Sequence, residues 1–295
     1  MIEKQPGLYV NKMNKKKSPE VVEQKPQKSQ QLILKHTEEA ALTQLNRTPL
    51  GLFLSAFSAG LDIGFSVLLM AVVLTLFKGV FPDPVVHFLV STMYPLGFMF
   101  VILGRSELFT EHTTLAILPV LQGISPIKKL LRLWGIVYLG NLIGGLIFAM
   151  ILSYFASTLH FMQSWALAQI SSDLALHTWT TTLFSAAFAG WLMGLLAWLV
   201  AAARETVSQV LIIWIVTTCI GLAGLAHSVV GNIEVATGLF NGNLSFAQYI
   251  HFLVPVTLGN IIGGVFFVGI LKYSHTTLSG KEEEVDIIAD HTEKN

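Results

Sequence analysis

Two stretches decide the fold: LGNLIGGLIF at residues 139–148 and LGNIIGGVFF at residues 258–267. They are near copies of one another, and each lies in an apolar run long enough to cross a bilayer, about 20 residues. A second matched pair precedes them, SAFSAGLDIG at 55–64 and SAAFAGWLMG at 185–194. A chain that repeats two of its apolar runs in the same order is built from a duplicated membrane unit.

Working outward, six segments read as spans: about 50–77, 85–121, 131–156, 180–203, 209–240 and 249–272. Thr48 and Pro49 are placed to cap and start the first. Spans two and five are too long and too polar in their middles to be plain helices. The first pair of copies lies in spans one and four, the second in spans three and six. The repeat unit is therefore three spans with an interrupted middle one. Three is odd, so the second unit enters the membrane from the opposite side. Inverted repeats with paired broken helices put a solute site near the bilayer midplane. Close helix packing accounts for Gly60, Gly64, Gly144 and Gly263 taken singly, but not for breaks at two equivalent spans.

Composition agrees. The 295 residues are 53% hydrophobic and 12% charged, where a soluble domain carries about 25% charged residues. Mean hydropathy is +0.64. Of the 36 charges, 14 fall in residues 1–50 and 8 in residues 273–295, so the middle is nearly uncharged. A soluble enzyme and a nucleic-acid-binding domain are excluded. Three parts follow: a polar N-terminal tail over 1–47, a six-span channel domain over 48–272 and an acidic C-terminal tail over 273–295. Lys15-Lys16-Lys17 reads as part of a solvated tail, and residues 31–46 as an amphipathic helix on the bilayer surface. Residues 1–30 have no apolar core of a cleavable signal peptide. The single cysteine, Cys219, excludes an internal disulfide.

Ionisable groups inside spans are costly and usually have a partner or a function. Span two supplies Arg105, Glu107, Glu111 and His112 within GRSELFTEHT; span five supplies His227, Asn232 and Glu234 within AHSVVGNIEVATG. Arg105 reads as a structural cation pairing with Glu107 or Glu234. Asp62 in span one reads as a packing or interprotomer hydrogen-bonding group. His227, at the break of span five between small residues, reads as a pore-facing proton donor, because histidine's reference pKa is about 6.5. No nucleophile–base–orienter set and no metal-ligand cluster is apparent, so the chain is read as a non-enzyme with no cofactor and no metal.

These residues also carry a resemblance. YPLGFMFVILGRSELFT at 94–110, His-Ser-Val at 227–229 and the duplicated Gly-Asn-Leu/Ile-Ile-Gly segment resemble the signatures of the formate/nitrite transporter family. The resemblance implies an all-α, aquaporin-like six-helix protomer in a homopentamer, each protomer with its own pore. It places Tyr94, Phe98 and Ile220 with Leu108 and Thr110 at the constrictions and makes His227 the central pore histidine. It implies passage of small monovalent weak-acid anions such as formate or nitrite, proton-linked through that histidine. The sequence departs from the family pattern at several places. Ala226 stands for the acid before the histidine, Gly231 for an asparagine, Arg105 for a glycine and Gly190 for an asparagine. Glu111-His112 replaces a small polar pair, and Asp173, His177 and Trp179 occupy the region where an outer lysine belongs. The added acids Glu111, Glu234 and Asp173 keep a second reading open, a pore for a small neutral or weakly basic solute. A closed membrane scaffold is a third.

Basic residues in short loops set orientation. Lys128, Lys129 and Arg132 follow span two, Arg204 follows span four and Lys272 ends span six. Both termini are therefore expected on the cytoplasmic side of the inner membrane. A reporter fused after Lys272 and one near residue 20 should both report cytoplasm, and one near Ser172 the outside. Any other pattern refutes the inverted assignment, since three spans per unit leave no freedom of sidedness.

Overall fold

The structure is a computed structural model that describes residues 28–156, 158 and 162–279; Lys15-Lys16-Lys17 and the acidic residues after Gly280 lie outside them. It is helical throughout these residues, with no strand among them beyond one isolated bridge between Lys78 and Phe81. In chain order the helices are α1 (Gln30–Leu45), α2 (Pro49–Phe77), α3 (Asp83–Ser91), α4 (Pro95–Gly104), α5 (Phe109–Leu115), α6 (Leu118–Leu121) and α7 (Ile127–Ala156). There follow α8 (Ser164–Ala175), α9 (Trp179–Ala202), α10 (Thr206–Leu222), α11 (Ser228–Phe240) and α12 (Phe246–Ile262). The last of these continues through a π-helical stretch, Gly263–Ile270, into α13 (Leu271–Ser279).

Five helical stretches are long and apolar enough to cross a membrane: Pro49–Phe77, Asp83–Gly104, Ile127–Ala156, Trp179–Ala202 and Phe246–Leu278. The region expected as a fifth span is instead two shorter apolar helices, α10 and α11, separated by a break. Local chemistry sets the ends. Thr48 accepts from the Gly51 N–H with Pro49 at the first helical position, and Thr178 does the same for Thr181 at α9. Ser245 and Gln248 form a reciprocal capping box at α12.

The core is two helix pairs packed backbone to backbone, α2 against α7 and α9 against α12. A Cβ on Gly60 would overlap the carbonyl oxygen of Asn141, and one on Gly190 that of Asn260. Glycine at these crossings lets the axes approach, and dispersion between the backbones takes the place of the hydrophobic drive that lipid cannot supply. A carboxamide locks each crossing. Asn141 donates to Ala56 O at 2.8 Å and Glu107 O at 2.9 Å, and accepts from the Phe109 N–H at 2.8 Å. Asn260 donates to Ala186 O at 2.8 Å and Ala226 O at 3.1 Å, and accepts from the Ser228 N–H at 2.7 Å. Ser55 accepts from the Glu107 N–H and Ser185 from the Ala226 N–H. The same set of bonds is thus made twice.

α1 packs on the helical body. Its apolar face, Ile33, Leu34, Ala41 and Leu45, is buried. Trp198 and Leu118 share a core with Ile33 and Leu34, and Trp191 and Tyr273 pack on its rim. Lys28 donates to Ala201 O at 2.6 Å, tying the start of α1 to the last carbonyls of α9. The two tryptophans of α9 give the amphipathic helix an apolar partner within the protein.

Asn141→Ala and Asn260→Ala each strand three buried backbone groups. Each should lower the thermal unfolding midpoint in detergent by the equivalent of about 2–5 kcal/mol. Ser153→Ala, which removes only a 3.4 Å bond to Thr237 O, should stay within about 0.5 kcal/mol of the parent.

Candidate functional site: the two helix breaks

Both breaks are built alike. α4 stops at Arg105, which adopts the left-handed conformation (φ 57°), and the chain runs extended to Leu108 (φ −107°, ψ 128°) before α5 begins. After α10, Gly224 is left-handed (φ 60°) and the chain runs extended to His227 (φ −111°, ψ 130°) before α11 begins. Arg105 is the one non-glycine at positive φ among the described residues. That conformation costs an L-residue about 1–2 kcal/mol, which glycine avoids. Leu108 and His227 are therefore structural counterparts, as are Asn141 and Asn260.

The breaks meet at the centre. His227 is 1% exposed and Leu108, Phe98, Thr110 and Ile220 are fully buried. Thr110 Oγ1 lies 2.8 Å from His227 Nε2. His227 Nδ1 accepts the Val230 N–H at 3.3 Å and so caps α11. A nitrogen that accepts cannot also carry a proton, so the ring is the neutral tautomer with its hydrogen on Nε2, pointed at Thr110. Phe98 sets its ring edge-on to His227 at 5.2 Å, and Tyr94 stacks on Phe98 at 5.5 Å. The arrangement is a histidine N–H and a threonine hydroxyl in an otherwise apolar collar.

Cavities flank this collar at opposite ends of α10. One, of about 300 Å³, lies beside α8 and is lined by Ile220, Tyr94, Glu234, Asp173, His87 and Lys78 among others. The other, of about 680 Å³, lies beside α1 and is lined by Arg105, Glu107, Glu111, His112, Lys28 and Thr206 among others. The first break thus opens toward α1 and the second toward α8. At the α8-side mouth, partial burial pushes the Asp173 carboxyl above the usual carboxylate range, with His177 and Lys78 pulling it back.

The expected pairing of Arg105 with Glu107 or Glu234 is not formed. Arg105 is exposed on the α1-side cavity, and Glu234 faces the other one. Glu107 instead takes Arg47, from the α1–α2 linker, at 2.5 Å, and His112 on its second oxygen. Glu111 lines the α1-side cavity beside them. Asn232 points away from the collar, donating to Leu142 O at 3.2 Å and accepting from the Tyr249 hydroxyl at 2.6 Å, which ties α11 to α7 and α12. Asp62 receives only its own helix neighbour Ser58, at 3.4 Å. Sequence reasoning missed Arg47 and Lys78. Lys78 was visible as the basic residue after span one; it reaches the α8-side cavity, paired with Asp83 at 3.1 Å. Arg47 and Glu107 are sixty residues apart and no local signal joins them.

Glu107→Ala leaves the buried His112 and the half-buried Arg47 without their acceptor and should destabilise the detergent-purified protein by about 1–3 kcal/mol. Arg105→Ala, on an exposed side chain, should stay within about 0.5 kcal/mol. Thermal melts of both variants check the assignment, and the reverse order would restore Arg105 as the structural cation.

Comparison with known proteins finds relatives of the whole helical body. A family model described as formate/nitrite transporter matches residues 31–274. The inner membrane protein YfdC of Escherichia coli K12 is 33% identical over 82% of this chain and 77% of its own. The nitrite transporter NirC of Salmonella typhimurium is 31% identical over 78% of this chain and 84% of its own. A probable formate transporter of Methanothermobacter thermautotrophicus is 30% identical, covering 79% of this chain and 92% of its own. Among solved structures, a pentameric formate channel with formate bound superposes with a TM-score of 0.66 at 25% identity, over 81% of this chain and 99% of that one.

Proposed function

The chain belongs to the formate/nitrite transporter family, and we propose that it is a channel for small monovalent weak-acid anions such as formate or nitrite, proton-linked, with His227 as its pore histidine. The protomer is two inverted three-span units, with α3–α6 and α10–α11 as the broken middle spans. Five protomers assemble in the inner membrane with both termini in the cytoplasm, each around its own pore. The twofold occurrence of the asparagine locks and of the left-handed break residues supports this reading, as does the pentameric assembly named for the formate channel relative.

One observation carries the function: a neutral histidine donor held in an apolar collar between two polar cavities. A bare monovalent anion loses its hydration on entering such a collar, and no fixed cation there replaces it. The neutral acid loses far less. Tyr94, Phe98 and Ile220 exclude water on one side of His227 and Leu108 on the other. The Nε2–H, now on Thr110, and the Thr110 hydroxyl are the donors a solute oxygen meets between them. Because Nδ1 caps α11, His227 contributes a hydrogen bond rather than its own proton, and the proton travels with the solute.

The acids on both cavities favour one other reading, a small neutral or weakly basic solute. Initial fluxes of formate, nitrite and acetate against glycerol, urea and ammonia in proteoliposomes separate the two. His227→Ala should lower formate flux roughly 5- to 150-fold, the equivalent of about 1–3 kcal/mol for a desolvated oxygen left without its donor. His227→Asn, which keeps a donor, should recover a measurable part. Equal formate fluxes in all three proteins would make His227 a bystander, and ammonia or urea flux without formate flux would favour the second reading.

A further inference from the structure

The pore needs a proton for its solute, and the collar histidine has none to spare. Glu234 is the ionisable group near the path that has no other task. It is 4% exposed on α11, within a helix whose neighbouring positions Val230, Ile233, Val235 and Ala236 are fully buried. It lines the α8-side cavity together with Tyr94, the first ring of the collar. Among the described residues no hydrogen bond and no ion pair reaches its carboxyl group.

The groups around it leave it free. Lys78, at the end of α2, is held by Asp83. His87 on α3 has its Nε2 on Leu222 O at 2.9 Å. Asp173 on α8, with His177 beside it, is a second acid rather than a counter-ion. The cations of α7, namely Lys128, Lys129 and Arg132, sit in its first two turns, and α12 brings Tyr249, whose hydroxyl donates to Asn232, and the exposed His251. α5 and α2 carry their acids, Glu111 and Asp62, outside this cavity. A carboxyl almost wholly buried and without a counter-ion is tolerated more cheaply as the acid than as the anion.

We propose that Glu234 is the proton-loading residue of this pore: as the neutral acid it hydrogen-bonds the incoming weak-acid anion beside Tyr94 and gives it the proton with which it crosses the collar. This rests on the weak-acid reading above. The O–H bond of the Glu234 carboxyl breaks as an O–H bond forms on the solute. Glu234 is left as the carboxylate and takes its next proton from cavity water, with Asp173 at the mouth as the acid that relays it. A proton held by a buried carboxyl at pH 7 moves uphill to a solute whose free acid is stronger, and the desolvation of the solute anion at the same place offsets that cost, so the step needs no other reactant. The partial burial that raises the Asp173 pKa favours the same relay.

The test uses the full-length protein in proteoliposomes with an entrapped pH dye, measuring initial formate uptake and lumenal acidification from pH 5 to pH 8. Glu234→Gln keeps size and hydrogen bonding but cannot transfer a proton. It should lose about tenfold or more of the uptake at pH 7, with the gap closing toward pH 5, where the solute increasingly arrives as the acid. Glu234→Asp should restore much of the pH 7 rate. On the parent protein, a hydrophobic carbodiimide at pH 7 should modify Glu234, read by mass spectrometry, and formate should slow the modification. Superimposable pH profiles for Glu234→Gln and parent would overturn the proposal. So would a loss of equal size at every pH, or an unmodified Glu234, which is decisive even if the Gln variant fails to assemble. A parent protein without formate uptake refutes the channel reading itself, and this inference with it.

Discussion

A membrane interior offers a broken helix no water, and every backbone group freed at the break must find its partner within the protein. Two asparagine side chains meet that demand here. Asn141 and Asn260 each accept the first N–H of a re-entering half-helix and donate to two carbonyls, one on the partner helix and one in the break. Ser55 and Ser185 satisfy one further N–H apiece. The collar, the two cavities and the cap at His227 all stand on these bonds. Only with the breaks held open can side chains from both half-helix starts converge on one point.

The duplicated frame carries different cargo. Leu108 and His227 occupy corresponding places, as do Glu107 and Ala226, and Arg105 and Gly224. Where one half keeps an acid at its break, bound to Arg47 and His112, the other half has alanine and a histidine that meets Thr110. The two cavities therefore differ in chemistry. One cavity is edged by a tied-up carboxylate and an exposed arginine, the other by a carboxyl without a partner.

Most of this frame could be read before any coordinates. The LGN copies marked α7 and α12, the SA-rich copies marked α2 and α9, and polar residues inside apolar runs marked both breaks. A common offset of 119 residues, from 105 to 224, 108 to 227 and 141 to 260, would have identified the counterparts as well. What spacing does not give is which cavity a side chain enters. Arg105 and Glu234 each sit near a break, but the breaks open toward opposite ends, so the two cannot meet. Nor does spacing reveal a partner sixty residues away across an irregular linker, as Arg47 is to Glu107, or that α1 would pack on Trp191 and Trp198.

The glycine crossings have a consequence for how such a pathway opens. At Gly60 and Gly190 the helices already touch backbone to backbone, and sliding one along the other would drive main-chain atoms together. The walls are therefore rigid on the timescale of a passing solute. What can turn where the two breaks meet is a few torsions: the rings of Tyr94 and Phe98, the hydroxyl of Thr110 and the side chain of Leu108. Any rearrangement there is a turn of buried, close-packed side chains, and it needs no displacement of the helices that hold them.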